Sequence, residues 1–111
     1  MEDPMSQMSA DLQLEVHDDG AIATVRLIGE LDISTAERVR NCFGEVFASG
    51  RRRLVVDLSQ LDFIDSTGLG VMVAALKRFR SDGGEMTVAD PAPRVRKVFE
   101  LTRLDTEFSM T

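Results

Sequence analysis

The sequence predicts an α/β fold: a mixed β-sheet in the order β-β-α-β-α-β-α-β, covered by helices. Three observations carry that expectation. An alternating apolar stretch opens the folded part, further short apolar runs follow it, and segments with helical spacing separate those runs. Strands joined in this way pair through right-handed crossovers. The 111 residues suit one domain, with a flexible N-terminal tail over residues 1–11 and the folded unit over 12–111.

The elements follow in order. "LQLEVH" (12–17) alternates apolar and polar residues, the mark of a half-buried strand. "DDG" (18–20) is a turn and "AIATVRLIG" (21–29) resumes a strand, so the two form a hairpin. Ser34, with Glu37 three residues later, fits a capping box that satisfies backbone N–H groups at a helix start. Ala36, Val39, Phe43, Val46 and Phe47 then share one helical face, and Gly50 ends the helix. "RRLVVDL" (52–58) reads as a buried strand and residues 66–80 as a second helix. After the break at "SDGG" (81–84), "EMTVAD" (85–90) is another strand. Asp90 is expected to cap a third helix with Pro91 near its first turn and an inner stripe of Val95, Val98, Phe99 and Thr102. "TEFSMT" (106–111) reads as a last short strand.

Composition narrows the function. The net charge of −6 argues against nucleic acid, and no apolar run approaches the ~20 residues that span a bilayer. Residues 1–13 are acidic and lack the apolar core of a signal peptide. The single cysteine, Cys42, allows no intrachain disulfide and suits a reducing cytoplasm. The basic clusters at 51–53, 77–80 and 94–97 read as solvated faces of turns and helices.

In open α/β sheets, ligands and partners meet the carboxyl ends of the strands. Two loops are expected there, "GELDIS" (29–34) and "DFIDSTG" (62–68), and the second leads into a glycine-containing helix start. A nucleophilic serine at Ser66 would need a nearby base. The one histidine, His17, sits on the first strand, and the spacing is not that of a nucleophile elbow. A phosphoacceptor at Asp57 or Asp65 would need an acidic pair for a metal and a lysine for the acyl phosphate. Glu30 and Asp32 imitate the pair, but the strand ending at Asp90 supplies no lysine. The lysine of a phosphate-binding loop is absent, and one cysteine with one histidine makes no standard zinc site. Neither a metal nor a cofactor is expected. What remains is a serine that is acted upon at a helix N-terminus, where Gly68 and Gly70 leave backbone approachable and the dipole favours negative charge. For an arbitrary sequence a plain N-cap role for Ser66 is the commoner one.

"GELDISTA" (29–36) with "VVDLSQLDFIDSTGLGVMVAALKR" (55–78) resembles the STAS domain of bacterial anti-sigma factor antagonists, over about residues 12–110. The resemblance implies a STAS-like sheet and a non-enzymatic switch. In that family the first serine of D-S-[ST]-G-L-G, here Ser66, is phosphorylated by an anti-sigma factor that is itself a serine kinase. The unphosphorylated antagonist binds the anti-sigma factor and frees a sigma factor; a serine phosphatase resets the site. Asp32 matches a family aspartate beside the acceptor. Asp32, Asp62, Asp65, Ser66, Thr67, Gly68 and Val71 are thus the expected partner-binding residues. Family members usually continue into a further C-terminal helix, which is missing from a sequence that stops at Thr111. A monomer or weak dimer is expected. The competing reading is an unphosphorylated STAS sensor or scaffold module within a larger regulatory complex.

The second helix is apolar nearly all round. Leu69, Met72, Val73, Leu76 and Phe79 share a face that should enter the core. Val71, Ala74 and Ala75 fall opposite, as either packing against a neighbouring helix or a shallow contact surface beside Ser66.

Overall fold

Strand β1 (Leu12–Asp18) turns back into β2 (Ile22–Leu31), and the two pair antiparallel. Carboxylates close the turn: Asp18 accepts from the Gly20 N–H at 2.9 Å and Asp19 from the Ile22 N–H at 2.8 Å. Gly20 supplies the φ of +97° that this requires. This computed structural model describes residues 11–111, so the expected N-terminal tail lies, except for Asp11, outside the described residues.

Helix α1 (Ala36–Ala48), β3 (Arg53–Ile64), α2 (Ser66–Ser81), β4 (Glu85–Ala89), α3 (Pro93–Leu101), a 3-10 turn at Leu104–Thr106 and β5 (Ser109–Met110) complete the fold. The strands stand in the order β1-β2-β3-β4-β5, parallel after the first pair. Each crossover advances one strand in the same direction, so a common right hand brings the helices to one face of the sheet. The burial pattern agrees. Ala23, Val25, Leu27, Leu54, Val56, Leu58, Met86 and Val88 are buried in one cluster with Val39 and Phe43 of α1, Met72, Leu76 and Phe79 of α2, and Val95 and Phe99 of α3. The opposite sheet face carries cross-strand polar pairs, such as Arg26 with Asp57 at 3.1 Å and with Glu15 at 3.4 Å.

Both strands that lead to the candidate loops run further than their apolar runs suggested. β2 continues through Glu30 to Leu31, and β3 continues beyond residue 58 to Ile64. Leu61 and Ile64 stay buried along that extension while Gln60, Asp62 and Phe63 are exposed. Two register shifts between β2 and β3 absorb the irregular spacing of these side chains.

Two helix starts differ from expectation. The Ser34–Glu37 capping box does not form: Thr35 is the N-cap of α1, and Ser34 gives its hydroxyl to Asp32 instead, at 2.7 Å. Glu37 pairs with Arg40. Asp90 does not cap α3. It stands at φ 53° ahead of Pro91, Ala92 is the N-cap, and Pro93 opens the helix with φ already set. Val95 and Phe99 are fully buried in the inner stripe, Val98 is half-buried, and Thr102 lies beyond the helix as its exposed C-cap.

Candidate functional site

β2 and β3 end side by side, with Leu31 opposite Ile64 and the Asp65 N–H donating to the Leu31 carbonyl at 3.2 Å. The segments that leave them, residues 32–35 and Asp65, therefore share one edge. Asp65 joins the two. One carboxylate oxygen accepts from the Gly68 N–H at 2.9 Å and so caps α2; the other accepts from the Ile33 N–H at 3.2 Å. Each bond satisfies a backbone donor that the chain's change of direction would otherwise leave open.

Asp32 organises the other segment. Its carboxylate accepts from the Ser34 hydroxyl, from the Ser34 N–H at 2.9 Å and from the Thr35 N–H at 3.2 Å. The Ser34 hydroxyl, helped by those N–H groups, holds the Asp32 carboxyl below the usual carboxylate range. The buried Thr35 hydroxyl accepts from the Asp32 N–H and donates to the Glu30 carbonyl, both at 2.9 Å.

With Asp65 as N-cap, Ser66 is the first residue of a 16-residue helix. Its side chain is exposed and makes no hydrogen bond among the described residues. Ser66 is thus not an N-cap. The N–H groups of a first helical turn have no intrahelical acceptors, and the Gly68 N–H is already held by Asp65. The donors that remain, those of Ser66 and Thr67, together with the helix dipole, make the outer side of this turn hospitable to an anion. Thr67 is half-buried; Asp62 is exposed in a register shift of β3.

Two expected contact residues turn inward. Gly68 is buried, and a Cβ there would stand 2.7 Å from Leu31 Cγ and 2.9 Å from the Leu31 carbonyl oxygen. Its lack of a side chain serves the packing of α2 onto the end of β2. Val71 is also buried, because this side of α2 faces α1 and lies with Phe43 and Gly44. Gly70, by contrast, has open space beside it: nothing lies within 4 Å of its would-be Cβ.

Sequence reasoning missed two residues here. Ile33 is 77% exposed, held out by a loop whose backbone Asp65 grips, and Phe63 is 45% exposed near the end of β3. An isoleucine inside the polar "LDIST" segment was the available signal. No group of side chains suited to a metal occurs among the described residues, and His17 pairs with Thr24 toward the other end of β2. Among the described residues the Ser66 hydroxyl has no hydrogen-bonded base.

The model of the STAS domain matches residues 12–111. An anti-sigma F factor antagonist from Paenibacillus polymyxa is 36% identical over 95 residues, 85% of this chain and 81% of that protein. Among solved structures, an anti-sigma factor antagonist from Mycobacterium paratuberculosis superposes with a TM-score of 0.82 at 28% identity, covering 99% of this chain and 89% of the other. The Bacillus cell fate determinant SpoIIAA in its phosphorylated form gives 0.70 at 26% identity, covering 90% of each. The chain belongs to the STAS-domain family of anti-sigma factor antagonists. Its five-stranded mixed sheet with three helices is the fold of that family. No described helix is long and apolar enough to cross a membrane.

Proposed function

We propose that this chain is an anti-sigma factor antagonist that works by partner exchange in the cytoplasm. Unphosphorylated, it binds an anti-sigma factor with serine kinase activity and so releases a sigma factor. Phosphate on Ser66 ends that binding, and a serine phosphatase restores it. The observation that carries this reading is an exposed, unbonded hydroxyl on the first residue of α2, at the edge shared by the ends of β2 and β3.

The partner surface is that edge: the 32–35 loop, Asp62, Asp65, Ser66, Thr67 and the open side of Gly70. Ile33 and Phe63 are its apolar anchors, each adding about 1–2 kcal/mol when covered. Phosphate brings about −1.5 to −2 charges to a place already occupied by Asp32, Asp62 and Asp65. The helix start tolerates it in the free domain, so the fold persists. Docking, however, requires that charge to be desolvated beside three carboxylates. A loss of roughly 3–4 kcal/mol weakens binding several hundred-fold, enough to exchange partners.

The test is incubation with candidate anti-sigma kinases and ATP, followed by intact mass and tandem mass spectrometry. One phosphate, on Ser66, is expected. Modification mainly of Thr67 or Ser59, or none with any kinase, would refute the reading.

A further inference from the structure

Helices α1 and α2 leave an open groove between them of about 200 Å³, lined by Phe43, Gly44, Val71, Ala74, Ala75 and Phe79 together with Arg40 and Arg78. Small side chains create it: a Cβ on Gly44 would meet only Arg78, at 4.0 Å, and Ala74 is exposed. The Arg78 guanidinium lies over the Phe47 ring, 4.4 Å from its centroid, and makes no ion pair among the described residues. Arg40 pairs with Glu37, both side chains being exposed. In a chain of net charge −6 this is a local reversal of sign. The Ser66 edge carries Asp32, Asp62 and Asp65; the groove, which begins at Val71 next to Gly70, carries the Arg78 guanidinium, while the charge of Arg40 is met by Glu37.

The volume selects the class of occupant. Small-molecule sites run to about 300–1,000 Å³, so this groove holds less than a ligand of that size. It suits one large apolar side chain inserted from a docked segment, the arrangement of an interface hot spot. Opposite charges at the two ends of one surface would fix the partner's orientation. Resting on the function proposed above, we propose that the α1–α2 groove receives a single large apolar side chain, flanked by carboxylates, from the docked anti-sigma factor.

The test is an NMR titration of the full chain with a capped Ala/Glu peptide carrying one central leucine, and with its Ala/Lys counterpart. Saturable shifts are expected at Gly44, Val71, Ala74 and Ala75, with affinity for the acidic peptide roughly ten-fold higher, about 1.4 kcal/mol. Ala74→Trp, at an exposed helical position, should abolish the shifts while its melting curve shows it folded. Arg78→Glu should remove the preference for the acidic peptide. Equal affinities for the two peptides, no saturable shift in the groove, or binding unaffected by either variant would overturn the proposal. So would saturation by decanoate without the peptide, which would assign the groove to a small amphiphile. Phosphate incorporation at Ser66, followed by intact mass in wild type and Ala74→Trp, reports on the partner-exchange reading separately. Its failure in both proteins would refute that reading and leave the peptide result interpretable.

Discussion

Two glycines two residues apart in the first turns of α2 should respond in opposite directions to added side chains. At Gly68 a new Cβ would stand 2.7 Å from Leu31 Cγ, 2.9 Å from the Leu31 carbonyl oxygen and 3.0 Å from Ile64 Cγ1. The leucine side chain can yield; the carbonyl belongs to the end of β2 and already accepts from the Asp65 N–H. Gly68→Val must therefore push the helix start away from the sheet, and overpacking of this kind costs about 1–3 kcal/mol. Valine's helix propensity recovers only about 0.3 kcal/mol of that relative to glycine. At 4–8 °C per kcal/mol for a domain of about this size, the melting temperature should fall by roughly 3–20 °C. Gly70 has nothing within 4 Å of a would-be Cβ. Gly70→Ala should gain about 0.8–1 kcal/mol of helix propensity and melt roughly 4–8 °C higher. Its methyl nevertheless stands one turn from Ser66 on the proposed partner surface, so affinity for the anti-sigma factor should drop. Thermal melts followed by circular dichroism, with urea titrations checking that the slope is unchanged, measure both variants. Wild-type melting of Gly68→Val, or a lower melting temperature for Gly70→Ala, would refute the assignment of inward and outward roles.

Asp32→Ala should remove the bonds to Ser34 and Thr35 and cost about 1 kcal/mol at neutral pH. Because the folded-state carboxyl is held below its usual value of 3.8, its stabilisation is complete above that value and fades as pH falls through the lowered one. Urea midpoints should therefore differ between wild type and variant at pH 7 and converge in acid; a gap that does not narrow would contradict this. Asp65→Ala loses both the α2 cap and the hold on the Ile33 N–H, and should destabilise by about 1–2 kcal/mol, while Asp65→Asn, which keeps an acceptor for Gly68, should lose less in the same urea titration.

The order of elements was legible because strand and helix periods alternate cleanly from residue 12 onward. The hairpin followed from the alternation on both sides of "DDG", and most of the buried stripes of α1 and α2 from their spacing, Phe47 and Val73 being only half-buried. The carboxyl ends of β2 and β3 were not legible. Glu30, Gln60 and Asp62 lie on exposed positions of strands, and in one dimension a polar strand end looks like a loop. Helix caps were misplaced for a related reason. Asp32, Ser34, Thr35 and Asp65 all have capping chemistry, and only the approach of Leu31 to Ile64 decides which oxygen reaches which N–H. Val71 shows a different limit. A helix that is apolar all round does not reveal which stripe meets the sheet and which meets a neighbouring helix. Ser66 stands out in the sequence by its motif, whereas the exposure of Ile33 depends on the grip of Asp65 across the strand ends and leaves no such mark.

On the proposed function, charge on Ser66, and not any change of fold, governs partner binding. Ser66 makes no capping bond, so Ser66→Ala should leave stability within about 0.5 kcal/mol of wild type. Ser66→Asp should be equally stable, since an acidic residue suits the first turn of a helix. The deciding measurement is titration calorimetry of the two variants, with matched melting curves, against an anti-sigma factor selected for phosphorylating the wild-type chain in the mass-spectrometric test. The alanine variant should bind as wild type does and resist inactivation, and the aspartate variant should bind more weakly, though less so than the phosphorylated protein. Equal affinities for two equally folded variants would contradict the account.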